Sequence, residues 1–414
     1  MTKYIQIFDE LVSIIHKDYA GWDEKLGWDS PEQYREKMKR LIDQKKMTPQ
    51  TFTHIVNDYI LDFHDPHMYF ILEGNDEVKP QVCGFSVRRY EDALYVTETV
   101  EEKRFEKGIK IVTVDGITIP ELAITKKNKL GDVHPERQNW NNVIKSAEWI
   151  ETIDSIGKST KLHIMHYDKA QREPKFTLKE LEPGTLLMTL TSFSNPKAIS
   201  ELLSSNIDRL QQITNLIIDV RNNGGGTDIA FTPVLEYIFS MNQIPDPVIK
   251  PREFNCTERN ANWYADLYEE YKKTNDHPDI LQVLKFAKEK FESNKGKGFV
   301  EFDFTGLIDE EKLDFKGHDT PNQVVILSDS YCASAGDVFV EISKQSSKAT
   351  VVGRATMGVM DYSDLATKDW DNQFTLYYPT SRLVEKDPVH QIHGKGGSTR
   401  YLYTMDTPTL RRGS

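Results

Sequence analysis

Apolar residues recur at three- and four-residue spacing near the start of the chain. Ile5, Phe8, Leu11, Val12 and Ile15 form one stripe, and Phe52, Ile55, Val56, Tyr59 and Ile60 form a second. That period predicts amphipathic helices, so residues 1 to about 72 read as helical. The second stripe runs into Asp62-Phe63-His64-Asp65-Pro66-His67. A proline disfavours helix for the residue before it. His67 is therefore expected just past a helix end, on a loop held by a packed element.

From about 81 the pattern shortens into β-rich runs: Cys83 to Val87, Ala93 to Thr97, and Ile109 to Val114. The last closes on Asp115-Gly116, a tight-turn pair. A helix carrying Trp140, Val143 and Trp149 is expected next, then a strand from Lys161 to His166. Beyond 180, apolar strands alternate with amphipathic helices, which favours an α/β layer with some parallel pairing. Thr185 to Leu190, Leu216 to Val220, Gln323 to Leu327, Ala349 to Val352 and Phe374 to Tyr378 read as strands. Ile199 to Ile213, Asp228 to Ser240 and Ala335 to Ser343 read as helices. Residues 245 to 320 look like a charged, mainly helical insertion, with Tyr264, Leu267 and Tyr271 at helical spacing. The expected organisation is a helical domain at 1–75, a small β domain at 80–165 and an α/β domain at 180–414 containing that insertion.

Composition adds boundaries to this picture. A chain of 414 residues, 38% hydrophobic and 28% charged, supports two or three domains with sizeable cores. Its net charge of -12 argues against non-specific nucleic-acid binding, which leaves a basic footprint. The lysines between Lys285 and Lys297 read as a solvated helix face. No apolar run approaches the ~18–20 residues that span a bilayer, and no signal-peptide core follows the start. Cys83, Cys256 and Cys332 are odd in number and widely spaced, which supports neither a disulfide framework nor a metal knuckle. The expectation is a reduced, cytoplasmic protein with no membrane partner; a removed leader would make it extracytoplasmic instead. The sequence allows a homo-oligomer.

Three stretches could carry chemistry. In Val324 to Asp337 an apolar strand ends in small residues and a helix begins at once. A serine at such a corner, here Ser334, projects its hydroxyl from the sheet edge, and the first helical amides can stabilise an oxyanion. The alternative is a simple N-cap serine. Cys332 is a rival nucleophile, or a packing residue. The second stretch is Leu216 to Gly226, a strand followed by Arg221-Asn222-Asn223 and three glycines. It suits an anion nest or a mere chain reversal, and lacks the lysine of a P-loop. The third is Asp62 to His67, whose two histidines lack metal-ligand spacing. His67 is either structural or a general base for a distant serine.

Taken together these stretches resemble the tail-specific, or C-terminal-processing, serine peptidases and their relative the tricorn core protease. The resemblance rests on Asp65-Pro66-His67, on Gly108 to Val114 ahead of Asp115-Gly116, on Arg221 to Gly226, and on Ser334 to Asp337. It implies a mixed α/β (α+β) fold: an N-terminal helical segment, a small PDZ-like β domain, and an α/β catalytic domain of the crotonase-like or ClpP-like type. One branch of the family uses a lysine in a TFGKG motif as base; the matching run Thr356 to Met360 has Val359 there. The tricorn-like branch uses the histidine of the first motif, which corresponds to His67. An orienting carboxylate then comes from an IEGxG-type motif, where Ile392 to Gly396 places His393, with Thr399-Arg400 beyond. Asp361 is a substitute candidate for that carboxylate, or a hydrated surface residue. The resemblance implies Ser334 as nucleophile, His67 as base, and the amides of Gly225 and Ala335 as oxyanion donors. It requires no metal or organic cofactor. The substrate would be a peptide or unfolded protein cut near its C-terminal end. A catalytically impaired ligand- or peptide-binding module is the alternative, as in the retinoid-binding modules of similar fold; an esterase is a third reading.

Overall fold

The first apolar stripe closes as the helix Lys3–Ile15 and the second as Pro49–Ile60, with Pro31–Asp43 between them. This computed structural model describes residues 3–73, 81–130, 134–168, 173–241, 243–245, 251–274, 278–304 and 315–384. Pro49–Ile60 starts where it does because the Thr48 hydroxyl accepts the Thr51 N–H at 3.1 Å and Pro49 presets the first helical φ. Phe8, Leu11, Phe52, Val56, Tyr59 and Phe63 from the helices pack on Phe70, Phe374, Leu376 and Tyr378. Each such buried side chain contributes about 1.5–3 kcal/mol of transfer free energy.

The chain folds into two units. One gathers Met1–Lys169, Lys250–Ile308 and Asp361–Glu385. Its helical core lies on a sheet in which Phe374–Leu383 pairs antiparallel with Tyr69–Leu72, Tyr362–Trp370 and Arg252–Asn255. The insertion supplies Arg252–Asn255 and two 17-residue helices, Glu258–Thr274 and Pro278–Asn294, around Phe254, Tyr264, Phe291 and Phe302. Residues 83 to 164 keep a separate core of Phe85, Leu94, Val96, Ile111, Trp140 and Ile150 under a sheet ordered Phe85–Tyr90, Ala93–Thr99, Lys110–Val114, Trp149–Ile153 and Ser159–His163. Here the expected helix through Trp149 stops short. It covers only Asn141–Lys145, and Trp149 opens a strand paired with Lys110–Val114. Sheet pairing overrides the short helical period.

The second unit includes Ala170–Ile249 and Asp309–Met360. Its sheet runs Phe176–Glu182, Thr185–Leu190, Asn215–Asp219, Gln323–Ser328, Ala349–Gly353. The first pair is antiparallel and the other three pairs are parallel. Leu216, Ile218, Val324 and Ile326 face the helices Asp228–Ile238 and Ala335–Ser343 through Phe231, Val234, Phe339 and Val340. The expected helix from Ile199 to Ile213 is two pieces, Pro196–Ser204 and Ile207–Leu210. Asn206 leaves helical geometry between them, its side-chain amide donating to the Leu202 carbonyl at 2.8 Å. The fold is mixed α/β. Among the described residues no helix is long and apolar enough to cross a membrane.

Candidate active site

Two adjacent parallel strands, Asn215–Asp219 and Gln323–Ser328, are in register from Asn215↔Gln323 to Asp219↔Leu327. Their loops therefore leave the same carboxyl edge of the sheet side by side, the place where open α/β sheets put their sites. The glycine loop is pinned to the serine loop by the Asn223 carbonyl, which accepts the Ala333 N–H at 2.9 Å. The buried Asp329 Oδ1 accepts the Asn222 and Tyr331 N–H groups, each at 3.0 Å.

Ser334 sits at φ 56°, ψ -120°, immediately before the helix Ala335–Ser343. A left-handed, non-glycine residue here costs about 1–3 kcal/mol and persists only where its surroundings enforce it. The enforcing group is Asp337. Its buried carboxylate accepts the Ser334 N–H at 2.7 Å, and also the Gly358 N–H at 2.8 Å and the Val359 N–H at 3.2 Å. Burial pushes the Asp337 carboxyl up, partly offset by those amides and the Thr356 hydroxyl. The run Thr356 to Val359 is thereby clamped to the serine corner.

Gly225 meets this corner at φ 95°; a Cβ there would lie 2.7 Å from the Ala333 carbonyl and 2.8 Å from Ser334 Cβ. Only glycine permits that approach. Its N–H, expected as an oxyanion donor, donates instead to Asn223 Oδ1 at 2.9 Å. That hydrogen is committed inside the loop, because Asn223 is buried and ties the loop to the Leu190 carbonyl. Ala335 occupies the first helical position beside Ser334. Cys332 is buried, and burial followed by Asp337 and Asp329 raises its thiol well above the usual range, which keeps it protonated. It is a packing residue.

The histidine corner lies in the other unit. Helix Pro49–Ile60 passes through a short turn to His64, which is left-handed at φ 49°, and the chain then makes Asp65-Pro66-His67 before the strand Tyr69–Leu72. Asp65 Oδ1 accepts the His67 backbone N–H at 2.9 Å and lies 3.5 Å from His67 Nδ1. Oδ2 accepts the Tyr19 hydroxyl at 2.7 Å, and the Lys25 ammonium donates to that hydroxyl at 2.8 Å. Lys25 is only 2% exposed and stands 4.4 Å from the Tyr362 ring centroid. Burial alone would raise the Asp65 carboxyl, but His67, Lys25 and Tyr19 together hold it below the usual carboxylate value. Burial lowers the Lys25 ammonium, opposed by Asp65 and Asp361.

Asp361 is not the hydrated surface residue that the sequence allowed. It is buried at 5% exposure because the strand Tyr362–Trp370 carries it inward, and its charge acts on Lys25, Tyr19 and Tyr362. Ser334, Ala335 and Gly225 are thus brought together in one unit, and His67, Asp65 and Asp361 belong to the other. His393 and the run Ile392 to Gly396, with Thr399-Arg400, lie outside the described residues. Sequence reasoning missed Tyr19 and Lys25 as members of these corners, and gave Asn223 and Asp329, inside its two stretches, no role of their own.

A serine on a strained strand-to-helix turn, beside a glycine loop at the carboxyl edge of a parallel sheet, is serine-hydrolase architecture. Within that class the chain belongs to Peptidase family S41, whose family model matches residues 184–399. Among solved structures, mature CPAF is similar at a TM-score of 0.60 and 12% identity, over 96% of this chain and 92% of that one. A CPAF mutant is similar at 0.62 and 11%, over 97% and 92%. The photosystem II D1 C-terminal processing protease aligns at 0.44 and 14%, over 98% and 94%. At these identities the two CPAF structures show the fold alone. No curated protein sequence matches the chain.

Proposed function

We propose that the protein is a serine peptidase in which Ser334 attacks a peptide carbonyl and His67 takes its proton. The acyl-enzyme is then released by water, with His67 first returning its proton to the leaving amine. The observation that carries the reading is the backbone of Ser334 at φ 56°: Ser334 and Asp337 form a capping box, but an ordinary cap makes that box from the extended region and without such strain. The Ala335 N–H is the first oxyanion donor. The Gly225 N–H becomes the second only once substrate binding releases it from Asn223 Oδ1. Such a donor is worth about 3–4 kcal/mol in the transition state. The substrate is a peptide or unfolded chain cut near its C-terminal end. The PDZ-like β module of residues 80 to 165 receives that end by strand addition; membership of Peptidase family S41 supports the peptide substrate.

Fluorophosphonate labelling tests the assignment. The parent protein should label, Ser334→Ala should not, and His67→Ala should label about 100-fold more slowly or worse. A folded parent that stays unlabelled across pH, with and without added peptide, overturns the peptidase reading in favour of a binding module of the same fold.

A further inference from the structure

Resting on the assignment of His67 as base, we infer that Asp65 is its positioning residue, taking the role that a carboxylate from the C-terminal motif would otherwise fill. A histidine acts as base only when one ring nitrogen carries the proton and the other presents a lone pair, and the partner of the first nitrogen decides which. Asp65 Oδ1 is the carboxylate oxygen set 3.5 Å from His67 Nδ1. The Asx turn across Pro66, closed by the His67 N–H on that same oxygen at 2.9 Å, keeps ring and carboxylate on one side. Histidine hydrogen bonds in unliganded sites are commonly long and tighten when substrate arrives.

A carboxylate this buried needs a counter-charge to stay an acceptor. Lys25 supplies it through the Tyr19 hydroxyl, which accepts from the ammonium at 2.8 Å and donates to Oδ2 at 2.7 Å. The tyrosine spacer occupies one carboxylate oxygen and leaves the other for the imidazole. Lys25 also acts on Asp361, so one ammonium stands among two carboxylates. A nearby cation favours the ionised carboxylate, and an ionised Asp65 in turn stabilises the imidazolium that forms on His67 during proton transfer.

The test combines a spectrum with kinetics. With 15N-labelled histidine, His67, assigned by difference from His67→Ala, should carry its proton on Nδ1 in the unaltered protein. In Asp65→Asn the proton should move to Nε2. Fluorophosphonate labelling by Asp65→Asn should slow by about 100–10,000-fold, and KM for a p-nitrophenyl ester should stay within about twofold while kcat falls. An Nε2–H tautomer in the unaltered protein overturns the inference even if the variant fails to fold or the parent is inactive. Labelling by Asp65→Asn within about threefold of the parent also overturns it. If His67→Ala labels at the parent rate, the base assignment itself fails; if His67→Ala is slow and Asp65→Asn is not, only the role of Asp65 fails.

Discussion

Asp65 and Asp337 are both buried carboxylates next to a candidate catalytic residue, yet their acidities move in opposite directions. Asp337 accepts from the Ser334, Gly358 and Val359 amides and from the Thr356 hydroxyl, all neutral donors, and burial still wins. Asp65 has Lys25, His67 and Tyr19, and burial loses. Neutral dipoles are enough to make a carboxylate a clamp for backbone. A nearby cation is what keeps one ionised for work on a proton. The serine corner is therefore built as a mechanical fixture and the histidine corner as a charge network.

The most damaging way to break this contrast is Lys25→Met, which leaves Asp65 and Asp361 without their shared cation. It should cost about 3–5 kcal/mol of stability by denaturant titration. Lys25→Met combined with Asp65→Asn should cost less than Lys25→Met alone; equal cost would mean the lysine only fills space. Asp337→Asn should cost about 1–3 kcal/mol, because its amide cannot accept all three N–H groups. It should also expose residues 356 to 359 to faster hydrogen exchange, since two of those amides lose their acceptor. The smallest effect sharpens the comparison through pH. Asp65 has a depressed folded pKa, so its contribution is complete above the unfolded value of about 3.9 and is lost as pH falls through the folded one. The penalty of Asp65→Asn should therefore shrink below about pH 4. Asp337 has a raised folded pKa, so acidification through it relieves a buried charge. The penalty of Asp337→Asn should grow in that direction. Parallel slopes in urea titrations between pH 7 and 3 would erase the distinction.

The serine corner was legible in the sequence because its parts are local. An apolar strand, a cluster of small residues and a helix stripe follow one another from Val324 to Val340, and the glycine loop follows its own strand in the same way. The histidine corner was legible only as Asp65-Pro66-His67. Tyr19, Lys25 and Asp361 come from distant segments, and nothing within ten residues of Lys25 signals that an ammonium will be buried. Asp361 looked like a surface residue because its burial is set by the hairpin of Tyr362–Trp370 with Phe374–Leu383, of which only part of the second strand has a clear pattern. Trp149 was misplaced for a similar reason: five helical residues give too short a period to decide against sheet pairing. The engaged Gly225 amide could not be foreseen, because the Asn223 side chain that takes it is chosen by loop closure.

The sheet behind the histidine corner also dictates an order of events during synthesis. Tyr69–Leu72 leaves the ribosome early, but its partner is Phe374–Leu383; Glu73 and Thr375, hydrogen-bonded at 3.0 Å, are 302 positions apart. At ~5–20 residues per second the early strand waits roughly 15–60 s for its neighbour. Through that interval Phe70 and the helical stripes that pack on Phe374 have no final cover. Emergence of Phe374–Leu383, and not of the segments before it, is the moment at which His67 acquires a fixed surrounding.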